Sequence, residues 1–120
     1  MSQLSDEEIY QEVGKIVTKF NLYKCDVCAT AVMQWLRENG IEGKIIFIKT
    51  TKRKEYYILS KRLEGRGINE SITLNGKHYG VEVRGRVFDN LSMDGLTRED
   101  WIDDFSCPSE QFIIQELPEL

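Results

Sequence analysis

Lys77-His78-Tyr79-Gly80-Val81-Glu82-Val83-Arg84-Gly85-Arg86-Val87-Phe88-Asp89 holds two β-rich runs on either side of a short turn. Valine, tyrosine and phenylalanine suit a pleated, half-buried surface, and Arg84-Gly85 puts a glycine where a hairpin needs positive φ. A two-residue loop there, or a four-residue loop about the same centre, pairs Glu82 with Val87, Val81 with Phe88 and Gly80 with Asp89. Because side chains alternate along each strand, His78, Gly80, Val87 and Asp89 then share one face. His78 lies diagonal to Asp89 at about 7–8 Å between backbones, within side-chain reach. Gly80, opposite Asp89, leaves space that an imidazole and a carboxylate could fill. A three-residue loop would reverse this parity.

Upstream of the hairpin the pattern is helical. Ser5 with Glu8 forms a capping box, and Ile9, Val13, Ile16, Val17 and Phe20 fall on one stripe, which predicts a helix over roughly 6–20. After a break at Asn21 to Lys24, Asp26 to Asn39 repeats the pattern through Cys28, Ala29, Val32 and Leu36, and Gly40 supplies a C-terminal stop. Lys44 to Thr50 is a continuous β-branched and aromatic run, as expected of a central strand covered on both faces. Glu55 to Leu59 and Ile72 to Leu74 read as further strands, Leu63 to Asn69 as a loop, and Asn75-Gly76 as a turn into the hairpin. Thr97 with Asp100 starts a short helix containing Trp101, Ile102 and Phe105, Pro108 closes the next loop, and Phe112 to Leu117 is a last strand. Helices first and an antiparallel meander afterwards make an α+β domain.

A length of 120 residues, 41% apolar and 30% charged, fits a single domain over 1–120 with a real core. A net charge of −4 argues against a nucleic-acid-coating surface, and the longest apolar stretch, Ile45 to Ile48, is too short to cross a bilayer. The expectation is therefore a protein made in the cytoplasm, with neither nucleic acid nor membrane among its partners. Three cysteines leave at least one thiol unpaired, unlike a disulfide-built scaffold.

Cys25 stands where the second helix begins, so free amides and the positive end of the helix dipole favour its thiolate. With His78 as proton acceptor and Asp89 to fix the imidazole's tautomer, Cys25, His78 and Asp89 are the parts of a thiol acyl-transfer site that needs no cofactor. The Cys25 amide is a candidate donor to the oxyanion, and Asn21 and Tyr23 are weaker candidates for a second. Duller assignments compete. Cys25, Cys28, Cys107 and His78 could form a structural Cys₃His zinc site, and Cys25 with Cys28 a redox pair, although the second close ligand pair and the βαβ context are missing. Cys28, Cys107, Trp35 and Trp101 read as core residues, and Asp89-Asn90 could be a simple turn. Lys52-Arg53-Lys54 with Lys61-Arg62 reads as a solvated strand turn rather than a grip for an acidic partner.

The stretches Lys24-Cys25-Asp26-Val27-Cys28-Ala29, Trp35-Leu36 through Gly43-Lys44-Ile45, Asn75 to Val83, Val87-Phe88-Asp89-Asn90, Gly95-Leu96 and Trp101 together resemble the second type of papain-fold toxin domain in bacterial polymorphic toxin systems. A wider resemblance is to transglutaminase-like enzymes, whose nucleophile motif matches Cys25, Ala29, Leu36-Arg37 and Gly40-Ile41, and whose His strand and later Asp match His78 to Val83 and Asp89. This register selects Cys25. Papain itself places its nucleophile at the second cysteine of a CxxC, which would be Cys28, one turn inside the helix where the dipole is weaker. The resemblance implies a papain-like or transglutaminase-like fold, a Cys25-His78-Asp89 triad and action on protein amide bonds as a peptidase, glutamine deamidase or cross-linker. It also implies a protein substrate, a cognate immunity protein and delivery to a target cell by another system. The alternative is a non-catalytic interaction module, or the zinc domain, on the same scaffold.

Overall fold

The computed structural model describes residues 3–118. Two helices come first, α1 (Asp6–Val17) and α2 (Cys25–Glu38). Strand β1 (Lys44–Thr50), the short β2 (Leu59–Ser60) and α3 (Lys61–Glu64) follow, then β3 (Lys77–Val83), β4 (Arg86–Asp89) and β5 (Ser92–Leu96). The chain ends with α4 (Arg98–Asp103), the two-residue β6 (Phe105–Ser106) and β7 (Phe112–Leu117). Five strands form one antiparallel sheet in the order β5-β4-β3-β1-β7, and β2 pairs with β6 separately. The fold class is α+β, as the sequence suggests.

The hairpin has the expected register, with Val81 opposite Phe88, Glu82 opposite Val87 and Val83 opposite Arg86. Arg84 (φ 49°) and Gly85 (φ 84°) are both left-handed, as in a type I′ turn, whose twist matches that of the strands. Alternation then divides the sheet between two cores. Ile45, Val81, Val83 and Phe88 point to the side where α1 and α2 bring Ile9, Val13, Val17, Cys28, Val32 and Leu36. Ile46, Ile48 and Val87 point the other way, onto Ile58, Leu63, Ile72, Trp101 and Phe105. With apolar side chains on both faces, β1 is the central, doubly covered strand that its uninterrupted apolar run requires.

The capping box is present, with Ser5 Oγ accepting from the Glu8 amide at 3.2 Å and the Glu8 carboxylate accepting from the Ser5 amide at 3.1 Å. α1 stops at Val17, short of Phe20, and α2 begins at Cys25, one residue ahead of Asp26. Other boundaries differ more. Ile72 to Leu74 is not a strand, because Ser71, Thr73 and Asn75 bond nearby backbone and thereby compete with a ladder. Their side-chain oxygens accept from the amides of Thr73, Asn75 and Lys77 at 3.3, 3.3 and 3.1 Å. Of Glu55 to Leu59 only Leu59 is in a strand, and the loop expected from Leu63 begins after the short α3. Strand β5, absent from the expected elements, pairs with β4 through Asp89 opposite Ser92 and Val87 opposite Leu96, with a bulge between.

Gly14 shows how tightly α1 seats on this edge, since a Cβ there would run into the Met93 carbonyl oxygen in β5. In an open helix Gly→Ala gains about 0.5–1 kcal/mol, but forcing a methyl group into packed backbone costs about 1–3 kcal/mol. Gly14→Ala is therefore expected to lower stability, measured as a reduced urea midpoint at an unchanged m-value.

Candidate functional site

The site is built where β3 outruns β4. β4 stops at Asp89 while β3 continues past Gly80 to Lys77, and Asn90, the next residue, donates from Nδ2 to the Asn21 carbonyl at 2.9 Å. That bond ties the loop before α2 to the end of the strand. The start of α2 is brought to the residues at the hairpin's open end, which a separation of dozens of positions conceals in the sequence.

His78 and Asp89 meet there with both side chains fully buried, His78 Nε2 lying 2.8 Å from Asp89 Oδ2. The Trp101 indole donates to the same oxygen at 2.8 Å, while Oδ1 accepts from the Leu91 amide at 2.9 Å. Asp89 therefore serves both assignments open to it, as the carboxylate beside the histidine and as the turn residue bonding its own backbone. The imidazole is packed between rings, stacked on Trp101 at 5.8 Å and edge-on to Phe105 at 5.1 Å.

The space at Gly80 has a different occupant from the one the strand register suggests. A Cβ there would come within 2.8 Å of both the Trp101 ring and Val87, so glycine admits the indole, and the indole reaches the carboxylate. Trp101 is the residue of the site that sequence reasoning assigned to the core alone. Its signal was available in physical form: a buried tryptophan needs an acceptor for its single N–H, and a buried aspartate needs donors.

Electrostatics favour charge on both members of the pair. For His78 burial pulls the pKa down, but the hydrogen bond to Asp89, the nearby Cys25 sulfur and the charges of both outweigh it and raise the pKa from 6.5 to about 9. For Asp89 burial pulls up, and the bonds and charge of His78, with help from Trp101 and Ser92, win and hold the carboxyl well below the usual range. His78 Nδ1 makes no hydrogen bond of ordinary geometry among the described residues, although Cys25 acts on the ring. The sulfur thus stands beside the imidazole without closing a well-formed bond, a common condition for a catalytic pair before substrate arrives.

Cys25 is the first residue of α2 and lines a cleft of about 320 Å³ with Tyr23, Asp26, Leu74, Lys77 and Tyr79. Tyr23 is left-handed (φ 72°), an uncommon conformation for a bulky residue and one that sits two positions before the thiol. Cys28 differs. Burial, then the charges of Asp89 and Cys25, push its thiol up to about 12, so it stays protonated. Cys107 lies apart, its sulfur 3.6 Å from Ser109 Oγ and 3.5 Å from the Gln111 carbonyl. All three cysteines are free thiols, and among the described residues no three or more His, Cys, Asp and Glu side chains gather as a metal site would require. The Cys₃His grouping of Cys25, Cys28, Cys107 and His78 is accordingly not formed.

The basic residues divide. Lys52 to Lys54 lie exposed in a turn, whereas Arg62 turns inward, its Nε 3.0 Å from Asp104 Oδ2. The expectation of one solvated patch fails for Arg62, because Asp104 and Ser92 supply partners inside the domain.

The family model for papain fold toxin 2 matches residues 8–106, which include most of α1, all of α2, the hairpin and Trp101. The chain belongs to the papain fold toxin 2 family. No curated protein and no solved structure matches it. The sheet and its two flanking cores are thus the papain-like fold of a toxin domain, a membership consistent with an enzyme. Among the described residues no helix is long and apolar enough to cross a membrane.

The raised His78 pKa carries a stability consequence with a definite sign. Stabilisation by imidazolium and carboxylate is complete below the unfolded value near 6.5 and is lost as pH rises through about 9. On the acid side, Asp89 contributes above its ordinary 3.8 and loses that contribution as pH falls through about 2. In thermal unfolding, the Tm advantage of the wild type over Asp89→Asn is expected to be largest between 3.8 and 6.5 and to shrink steadily toward 9. A constant difference over that upper range would show that His78 is not held charged.

Proposed function

We propose that this papain-fold toxin domain is a thiol-dependent acyl-transfer enzyme acting on protein amide bonds, with Cys25 as nucleophile, His78 as general base and acid, and Asp89 orienting His78. The observation that carries it is the fully buried His78–Asp89 pair, 2.8 Å apart, with Cys25 acting on the same ring and opening on a cleft. A purely structural histidine does not need a carboxylate on one nitrogen and a thiol at the other.

The chemistry follows from those placements. The Cys25 thiolate attacks the amide carbon, and the carbonyl oxygen becomes an oxyanion. As the first residue of α2, Cys25 offers an amide with no partner inside the helix to that oxygen. His78 then gives its proton to the departing nitrogen, the C–N bond breaks, and an amine or ammonia leaves a thioester on Cys25. With His78 now neutral, it takes a proton from water, the hydroxide carbon–oxygen bond forms, and the C–S bond breaks to release a carboxylic acid and restore the thiolate. Peptide-bond cleavage and glutamine deamidation share all of these steps and differ in which nitrogen leaves. If an amine replaces water in the last step, the product is a cross-link. Asp89, held by Trp101, Leu91 and Ser92, keeps the imidazole oriented throughout.

As a toxin domain of this kind it would act on a protein of the target cell, after delivery by another system, and would be blocked at home by an immunity protein. The raised pKa of Cys28 supports Cys25 in the nucleophile's role, because a protonated thiol is a poor nucleophile at neutral pH.

The test is incubation of a bacterial proteome with wild type and variants, followed by mass spectrometry for new termini, deamidated glutamines or cross-links. Cys25→Ala is expected to abolish all products, Cys28→Ala to retain them, and His78→Gln to lose about 10²–10⁴-fold, the usual worth of a general acid–base. Circular dichroism of each variant checks that the fold persists. Products made equally by folded Cys25→Ala would contradict the assignment.

A further inference from the structure

A cavity of about 470 Å³ that shares no lining residue with the Cys25 cleft is lined by Thr18, Arg62, Arg66, Asn90, Ser92 and Asp94, among others. Three features of this wall ask for a ligand. Arg62 Nη1 donates to Ser92 Oγ and Nε lies 3.0 Å from Asp104 Oδ2, but neither Nε nor Nη2, both buried, makes a hydrogen bond of ordinary geometry among the described residues. Asn90 is in the same condition at Oδ1, its Nδ2 being taken by Asn21. Arg66, four positions after Arg62 and exposed, carries a guanidinium that makes no ion pair or hydrogen bond among the described residues.

A charged donor stripped of water and left without an acceptor is costly, and guanidinium pairs meet oxyanions better than any other group. Asn90 Oδ1 and the Asp94 carboxylate, on the same wall, select against a ligand that is anionic throughout and favour hydrogen-bond donors at its other end. The volume suits a small molecule.

The wall is also wired to the buried pair. Ser92 is Asp89's partner across β4 and β5 and helps hold its carboxylate, and the hydroxyl that accepts from Arg62 is free to donate to Asp89. Arg62 reaches Ser92, Ser92 stands opposite Asp89 across the strand pair, and Asp89 meets His78, so the cavity wall adjoins the buried pair.

We infer that this cavity is a binding site for a small hydroxylated oxyanion, a phosphate monoester or a hydroxycarboxylate, held by Arg62 and Arg66 and sensed at His78 through Ser92 and Asp89. The site stands independently of what Cys25 does, because no group of the cleft takes part in it.

Two measurements on the full chain test it. Isothermal titration with glycerol 3-phosphate and with malate distinguishes the phosphate from the carboxylate source, with uncharged glycerol as the blank. At least one oxyanion is expected to bind saturably at one site, glycerol not at all, and Arg66→Ala to weaken binding roughly tenfold, the worth of one charge-assisted hydrogen bond. Arg66 is the variant of choice because its side chain holds nothing else in place, so folding is not at stake. The chain has one histidine, so its ring resonances are unambiguous in NMR, and they are expected to shift along the same binding curve. Failure of both oxyanions to bind, equal affinity in Arg66→Ala, or binding with a stationary His78 ring would each overturn the inference.

Discussion

The structure turns on a charged pair with no access to water. His78 and Asp89 are both completely buried, and burial alone would strip each of its charge. What keeps them charged is the set of contacts around them: the imidazole, the Trp101 indole, the Leu91 amide and Ser92 on the carboxylate, and Cys25 beside the ring. Those partners come from β3, α4, the turn after β4, β5 and α2, so one small electrostatic requirement fixes the relative placement of five elements. Breaking such a pair by removing one member strands a buried charge, at a cost of about 3–5 kcal/mol. A protein has little reason to keep so expensive an arrangement for stability, since apolar side chains of similar volume would do as well or better.

Position along one helix then decides what each thiol can do. Cys25 and Cys28 are one turn apart, yet the first lies at the helix start on the cleft and the second lies inside the core with its pKa pushed up to about 12. Burial and the neighbouring negative charges make Cys28 an inert packing residue.

Much of this was legible from residues alone, for identifiable reasons. The capping box at Ser5 and Glu8, the apolar run of β1 and the Arg84-Gly85 turn are local signals, and each specifies its element without help from the rest of the chain. The pairing of His78 with Asp89 followed from that turn, because alternation carries the register outward residue by residue. Strand β5 was hidden because Ser92-Met93-Asp94-Gly95-Leu96 has no alternation of its own, and its pairing rests on β4 and on a bulge at left-handed Gly95 (φ 72°). Ile72 to Leu74 misled in the opposite way, since its apolar residues suggest a strand while Ser71, Thr73 and Asn75 divert the backbone bonds. Trp101 and Arg62 were beyond local reading altogether. Their roles depend on acceptors supplied by distant segments, and a sequence shows a need for partners without showing where they are.

The central claim is that the buried pair serves Cys25 and no other thiol, and the most direct measurement is the alkylation rate of each cysteine in the folded protein. Iodoacetamide at neutral pH, followed over time by peptide mass spectrometry, reads Cys25, Cys28 and Cys107 separately in one experiment. Cys25 is expected to react far ahead of the other two, and to lose that lead in His78→Gln. Comparable rates at all three sites, or a Cys25 rate indifferent to His78, would contradict it.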